Sequence, residues 1–97
     1  MRLPEILVIK GKIWRVQQIP DLHMGNQNLY GVCIPTKRLI QLNSDYPRAD
    51  IEETLLHEVM HACLPVRMRG VTMEAEERLI SRMTPELMRV LPGLFKP

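Results

Sequence analysis

A chain of 97 residues is long enough for one hydrophobic core, and we expect a single domain over residues 1–97. Hydrophobic residues make up 45% of the chain and charged residues 25%, which is typical of a soluble globular protein. The net charge of +2 is too small to favour nucleic acid or an anionic membrane surface as a partner, and we expect neither.

No part of the sequence resembles a targeting or membrane-spanning segment. The N-terminal residues lack the apolar stretch of a signal peptide, and no run approaches the ~20 apolar residues that cross a bilayer. The two cysteines, Cys33 and Cys63, are too few for a disulfide framework. We therefore expect a cytoplasmic protein in which both cysteines are reduced.

The first half of the chain has the alternating and β-branched composition of strands. Four strands are predicted, at residues 5–9, 13–19, 29–34 and 39–43. Tight turns are predicted at residues 10–12 and 35–37, and the polar stretch from Pro20 to Asn28 is typical of a loop. Because the links are short, the sequence predicts an antiparallel meander.

The second half changes to a helical period. Asp50 and Glu53 resemble a capping box, and Pro47 offers a start one turn earlier. The helix is predicted to continue to about Cys63, since Pro65 follows.

A linker is predicted at residues 66–71, and Thr72 is a candidate N-cap for a second helix. Thr84–Pro85 is predicted to kink or restart that helix, which then ends at Pro92–Gly93. The fold class is α+β, with a small antiparallel sheet of about four strands at residues 5–44 and helices at about 47–63 and 72–91.

Residues 57–61 read His-Glu-Val-Met-His, the HExxH motif. On a helical wheel with Leu56 at the centre of the apolar face, His57 and His61 lie about 40° apart, beside that face. Both imidazoles can therefore reach one metal ion. Glu58 points about 100° beyond His57, which suits a general base rather than a ligand. The plainer alternative is a helix with two surface histidines.

A catalytic zinc site needs a third protein ligand. Arg67 stands where the elongated metzincin motif requires a histidine, which excludes that class. The only other histidine, His23, lies in the predicted polar loop. The stronger candidates open the second helix: Glu74, Glu76 and Glu77.

A helical wheel of the second helix separates these glutamates only in part. Its apolar face is predicted from Leu79, Ile80 and Met83. Glu76 projects near the centre of that face, Glu77 near its edge and Glu74 to the opposite side. Geometry excludes neither Glu76 nor Glu77.

Three segments together resemble a known group of proteins. Leu55-Leu56-His57-Glu58-Val59-Met60-His61-Ala62, then Glu76-Glu77-Arg78-Leu79-Ile80 and Leu87-Met88-Arg89-Val90-Leu91, resemble minimal gluzincins. More narrowly, residues 29–91 are similar to small phage- and prophage-encoded zincin-like metallopeptidases.

The resemblance implies one zinc ion per chain and the host cytosol as location if the protein is phage-encoded. Its spacing of apolar residues favours Glu77 as third ligand, with Glu76 as the close alternative. It also implies that the segment Arg38–Asn43 pairs with an extended peptide at the edge of the cleft.

The implied reaction is hydrolysis of a peptide or protein substrate. Zinc held by His57, His61 and Glu77 activates a water, and Glu58 accepts its proton and passes it to the leaving amine. Three side chains are candidate oxyanion donors: Tyr30, Tyr46 and His23.

Two other functions remain as alternatives. One is a metal-dependent module that binds peptide without turnover, although such a module needs no base at Glu58. The other is a structural zinc site, which prefers four ligands, often cysteines. Cys63 is predicted to lie on the apolar face, away from the histidines.

Overall fold

The computed structural model describes residues 3–63 and 72–94, and in residues 89–94 only the backbone. Over these residues the protein is α+β, as predicted, with a four-stranded sheet, a two-stranded ribbon, two α-helices and a short 3₁₀ helix, Pro35–Lys37, where a turn was predicted. In chain order the elements are β1 (Ile6–Ile9), β2 (Lys12–Ile19), β3 (His23–Met24), β4 (Gln27–Asn28), β5 (Gly31–Ile34), β6 (Leu39–Asn43), α1 (Arg48–Cys63) and α2 (Met73–Leu94).

The four-stranded sheet is mixed, so the predicted antiparallel meander is wrong. Its strand order is β1-β2-β6-β5. The pairs β1–β2 and β5–β6 are antiparallel, but β2 and β6 run parallel, with Val16 opposite Ile40. This pairing places the buried side chains of both strands on the same face of the sheet. The strands are ordered so that this common face is buried, and a short-range sequence pattern does not show which strands pair in that way.

The links between the strands differ in how well the sequence predicts them. Lys10 and Gly11 both have positive φ, 51° and 75°, as a two-residue hairpin turn requires, and the predicted turn is confirmed. The predicted loop at residues 20–28 instead contains the β3–β4 ribbon. The buried Asn43 donates hydrogen bonds to the carbonyls of Leu22 and Leu29, which attach this ribbon to the end of β6.

The core lies between one face of the sheet and α1. Ile40 and Leu42 are fully buried at its centre, and Trp14, Val16 and Ile51 surround them. From α1, Leu55, Val59 and Ala62 pack against this cluster at helical spacing. The sheet-facing stripe is therefore rotated from the predicted face centred on Leu56. Cys63, predicted to be apolar-facing, is exposed, and both cysteines are free as expected.

Helix α1 begins at Arg48, where the Ile51 N–H donates to the Pro47 carbonyl at 3.0 Å. The earlier start at Pro47 is therefore correct, and Asp50 lies within the first turn rather than capping it. The helix reaches Cys63 as predicted. The linker predicted at residues 66–71 lies outside the described residues.

Helix α2 begins where predicted, since the Thr72 hydroxyl oxygen accepts a hydrogen bond from the Ala75 N–H at 3.1 Å. It continues as one helix through Pro85 to Leu94, so the predicted restart at Thr84–Pro85 is wrong, and the helix extends just past the predicted end at Pro92–Gly93. Thr84 is buried, and its hydroxyl donates to the Ile80 carbonyl and lies 3.7 Å from Met60 Sδ on α1. The first of these bonds lies within α2, and the contact with Met60 joins α2 to α1 at the residue that precedes the proline. In the part of the chain that is described, neither helix is long and apolar enough to cross a membrane.

Candidate metal centre

The HExxH motif lies on α1, where the helical repeat brings its two histidines together. The Nε2 atoms of His57 and His61 are 3.2 Å apart, and the two rings meet edge to face. Their side chains are half-buried, at 20% and 22% exposure. The i, i+4 spacing gives this proximity, because side chains one turn apart lie on the same face of a helix.

Glu77 reaches the same point from α2. Its Oε1 lies 3.0 Å from His57 Nε2, and its Oε2 lies 2.7 Å from His61 Nε2. Ligand atoms around a tetrahedral ion with bonds of about 2.0 Å are separated by about 3.3 Å. The three side chains are therefore spaced closely enough to hold one metal ion. Three ligands also leave the fourth tetrahedral position open.

Glu76, the alternative third ligand, contacts a different atom. Its Oε1 lies 3.1 Å from His61 Nδ1, on the side of the ring away from the cluster, and its side chain is only 17% exposed. A carboxylate in this position accepts a hydrogen bond from Nδ1–H, and in that tautomer the Nε2 lone pair is free to bind a metal ion. The two neighbouring glutamates thus contact opposite sides of one imidazole.

The face that α2 presents to α1 differs from the predicted one. Ile80 and Thr84 are buried at 1% exposure each, whereas Leu79 and Met83 are 48% and 42% exposed. The face follows the i, i+4 line through Glu76, Ile80 and Thr84. This face includes a polar residue, Thr84. A helical wheel that considers only apolar residues therefore places the buried face too close to Leu79 and Met83.

Glu58 is buried, at 8% exposure, although it borders the cleft beside the histidines. Burial raises the pKa of its carboxyl from 4.5 to about 7; the nearby His61 opposes this shift, and the negative charge of Glu77 adds to it. A carboxyl with a pKa near neutrality can both accept and donate a proton at neutral pH. Sequence reasoning placed Glu58 near the site but did not predict its burial.

The strand beside the site contributes two residues that sequence reasoning did not assign to it. Cys33 on β5 is half-buried, and burial, followed by the charge of Glu58, raises the pKa of its thiol to about 11. The thiol is therefore protonated at neutral pH in the metal-free protein, and Cys33 is not part of the described group that could hold a metal. A Cβ added at Gly31 would lie 2.6 Å from Thr54 Cγ2, so glycine allows β5 to approach α1 closely. A glycine within a predicted strand often marks the close approach of another element, so the sequence contained a signal for this contact.

The strand that borders the cleft is β5. The prediction that Arg38–Asn43 lies at the edge of the cleft and pairs with a peptide is therefore wrong. Most of that segment forms β6, which pairs with β2 on one side and β5 on the other. Among the described strands, β5 lies at the edge of the sheet, and Gly31, Val32 and Cys33 line the cleft with the histidines.

The three candidate oxyanion donors lie in different places. Tyr30 is exposed and lines the cleft with His57 and Glu58. Tyr46 stacks on it with ring centroids 4.1 Å apart and packs against the core. His23 lies in β3, where its Nδ1 donates to the Asp21 carbonyl at 2.7 Å, and it is not part of the metal-ligand cluster.

No family model matches this chain, and neither a curated protein nor a solved structure is significantly similar to it. The functional assignment therefore depends on the geometry of the site itself. That geometry is two imidazoles and a carboxylate around one point, with a buried carboxyl and an edge strand beside them.

Proposed function

We propose that the protein is a zinc-dependent peptidase of the gluzincin type. The observation that supports this most strongly is the convergence of His57, His61 and Glu77 on one point, with Glu58 beside them but outside the cluster. Ligands and base thus come from separate side chains, as metal-assisted hydrolysis requires. An HExxH helix followed by a helix that supplies a glutamate is also the arrangement that the resemblance to gluzincins implies.

Zinc is the ion that this donor set fits best. Two imidazole nitrogens and one carboxylate oxygen are a common set for a catalytic zinc, and one position remains open for water or substrate. The contact of Glu76 with His61 Nδ1 supports the same assignment, because histidine ligands of zinc commonly donate their second nitrogen to a carboxylate. We expect one ion per chain.

The side chains divide the chemical work. Zinc bound at the cluster would lower the pKa of a water and polarise the scissile carbonyl. Glu58, whose pKa is raised to about 7, accepts the proton of the attacking water and passes it to the leaving amine. Tyr30 lines the cleft with these residues, and we assign it as the donor to the developing oxyanion.

The substrate is proposed to be an extended peptide that pairs with β5. The Asn43 N–H donates to the Tyr30 carbonyl at 2.8 Å, which makes these two residues a hydrogen-bonded pair. Hydrogen-bonded and non-hydrogen-bonded pairs alternate along an antiparallel ladder, so the backbone groups of Gly31 and Cys33 point away from β6. These groups can bind the backbone of a peptide laid along the cleft.

The first test combines metal content with turnover. The purified protein is expected to contain one equivalent of zinc and to hydrolyse unstructured peptides, and the His57→Ala/His61→Ala double variant is expected to lose both properties. Glu58→Gln is expected to retain zinc and the fold but to lose hydrolysis, because Glu58 is assigned as a base and not as a ligand.

Each other outcome points to a different function. Zinc with peptide binding but no turnover in the parent would indicate a binding module. Zinc without either property would indicate a structural site. Loss of zinc in Glu58→Gln, or full activity in that variant, would contradict the role of Glu58.

A further inference from the structure

The cleft has two halves that meet at the metal cluster, and one of them has an excess of positive charge once the carboxylates at the cluster, Glu58, Glu76 and Glu77, are set apart. Lys10, Lys12, Arg38 and Arg78 line this half, which we call the basic half. All four side chains are exposed. Apart from the carboxylates of the site itself, Glu74 is the acidic residue among its described lining residues. The basic residues come from the β1–β2 turn, the start of β2, the residue before β6 and α2, so the charge does not depend on a single segment.

The other half is acidic. Asp50 and Glu53, both on the first turns of α1, line it, and its described lining includes no lysine or arginine. We call this the acidic half. His57, Glu58 and Glu77 border both halves, so the charge changes sign across the site of the proposed reaction.

The edge strand relates these halves to the direction of a bound peptide. Tyr30 lines the acidic half, Cys33 and Pro35 line the basic half, and Gly31 lines both. Antiparallel pairing is slightly more stable per residue than parallel pairing, so a peptide added to β5 is expected to run from Cys33 towards Tyr30. Its residues before the scissile bond then lie in the basic half, and those after it lie in the acidic half.

We propose that the cleft selects peptides by the sign of charge on each side of the scissile bond, with acidic residues before it and basic residues after it. This selectivity rests on the peptidase function proposed above and specifies the class of its substrate. The charged side chains are exposed and therefore screened by salt, so we expect a preference of about fivefold to tenfold that decreases as the salt concentration rises.

Binding of charged peptides to zinc-loaded Glu58→Gln tests this selectivity without turnover. Two pools of short peptides with identical composition are compared by fluorescence anisotropy. One pool has acidic residues in the N-terminal half and basic residues in the C-terminal half, and the other has the reverse order. The first pool is expected to bind at least fivefold more tightly at low salt.

A charge-reversal pair on β2 identifies the source of the preference. Lys12→Glu, introduced into the same protein, is expected to reduce the ratio between the pools to about one. Arg15→Glu is the matched control, because Arg15 lies on the same strand between the buried Trp14 and Val16 and so points away from the cleft. It is expected to leave the ratio unchanged.

Equal binding of the pools, preference for the reversed pool, or a ratio insensitive to Lys12→Glu would overturn the proposed selectivity. Hydrolysis by the parent protein is measured separately. If the parent cleaves neither pool while the binding preference is present, the charge selectivity stands and the peptidase function is contradicted.

Discussion

At the scale of single residues, two adjacent glutamates have different roles because each one contacts a different nitrogen of His61. Glu77 lies 2.7 Å from Nε2 and belongs to the group that could hold a metal, whereas Glu76 lies 3.1 Å from Nδ1. A lost ligand removes a bond to the ion. A lost partner on the far nitrogen only frees the ring to rotate and to change its tautomer.

We therefore predict that Glu77→Ala lowers zinc affinity by about a hundredfold or more and Glu76→Ala by about tenfold. Competition with a chelator measures both affinities against the parent. Glu74→Ala is the control, since Glu74 is exposed and is not part of the described cluster. A larger loss in Glu76→Ala than in Glu77→Ala would mean that the two roles are exchanged.

Glu58 makes a further prediction about the metal-free protein. Its pKa is raised from 4.5 to about 7 by burial, so the folded state holds a proton that the unfolded chain has released between these values. The free energy of unfolding should therefore fall as the pH rises through this window. Glu58→Gln removes the titration and should gain about 2–3 kcal/mol relative to the parent between pH 5 and pH 8.

Chemical denaturation of both proteins in the presence of a chelator, at several pH values, measures this difference. The difference between the two proteins is the relevant quantity, because titrating groups that do not interact with Glu58 contribute equally to each. A constant difference across the range would show that the Glu58 carboxyl ionises normally in the folded state.

At the scale of elements, the site depends on the close contact between β5 and α1. Gly31 allows this contact, since a Cβ there would lie 2.6 Å from Thr54 Cγ2 and 3.0 Å from the Gln41 carbonyl oxygen. Gly31 borders both halves of the cleft. Any outward movement of β5 would change the distance between the proposed peptide-binding edge and the histidines.

Gly31→Ala is expected to destabilise the protein by about 1–3 kcal/mol through overpacking. Combining it with Thr54→Ser, which removes the clashing Cγ2, should recover part of this loss. Thermal unfolding of both single variants and the double variant measures the coupling. Additive effects would show that the alanine is accommodated without contact with Thr54.

At the scale of the whole molecule, the metal cluster connects α2 to the rest of the fold. Its candidate ligands come from α1, which packs on the sheet, and from α2, which packs mainly on α1 among the described elements. An ion bound here would cross-link the two helices. Binding to the folded state alone stabilises a protein by mass action.

Zinc at a hundred times its dissociation constant is expected to stabilise the protein by about 2.7 kcal/mol, which for a domain of this size raises the Tm by roughly 10 °C or more. Scanning calorimetry with zinc and with a chelator measures the shift. The His57→Ala/His61→Ala variant should show no zinc-dependent shift. The same shift in that variant would place the bound zinc elsewhere.

The sequence by itself determined those features that depend on local geometry. The α+β class, the hairpin turn at Lys10–Gly11, the Thr72 cap and the proximity of His57 and His61 all follow from short-range backbone preferences or from the helical repeat. The class follows from the change of hydrophobic period between the two halves of the chain, and each of the others follows from a few neighbouring residues, so no knowledge of distant contacts was required.

Only the tertiary structure decided how these pieces meet. The parallel pairing of β2 with β6 joins residues 24 positions apart, as in Val16 with Ile40, and places β5 rather than β6 at the edge of the cleft. The burial of Glu58 and the separate contacts of Glu76 and Glu77 depend on how α1 and α2 are rotated against their neighbours. Those rotations depend on contacts between elements that are distant in the sequence, since α2 buries the polar Thr84 and leaves Leu79 and Met83 exposed, and no single segment of the sequence contains that information.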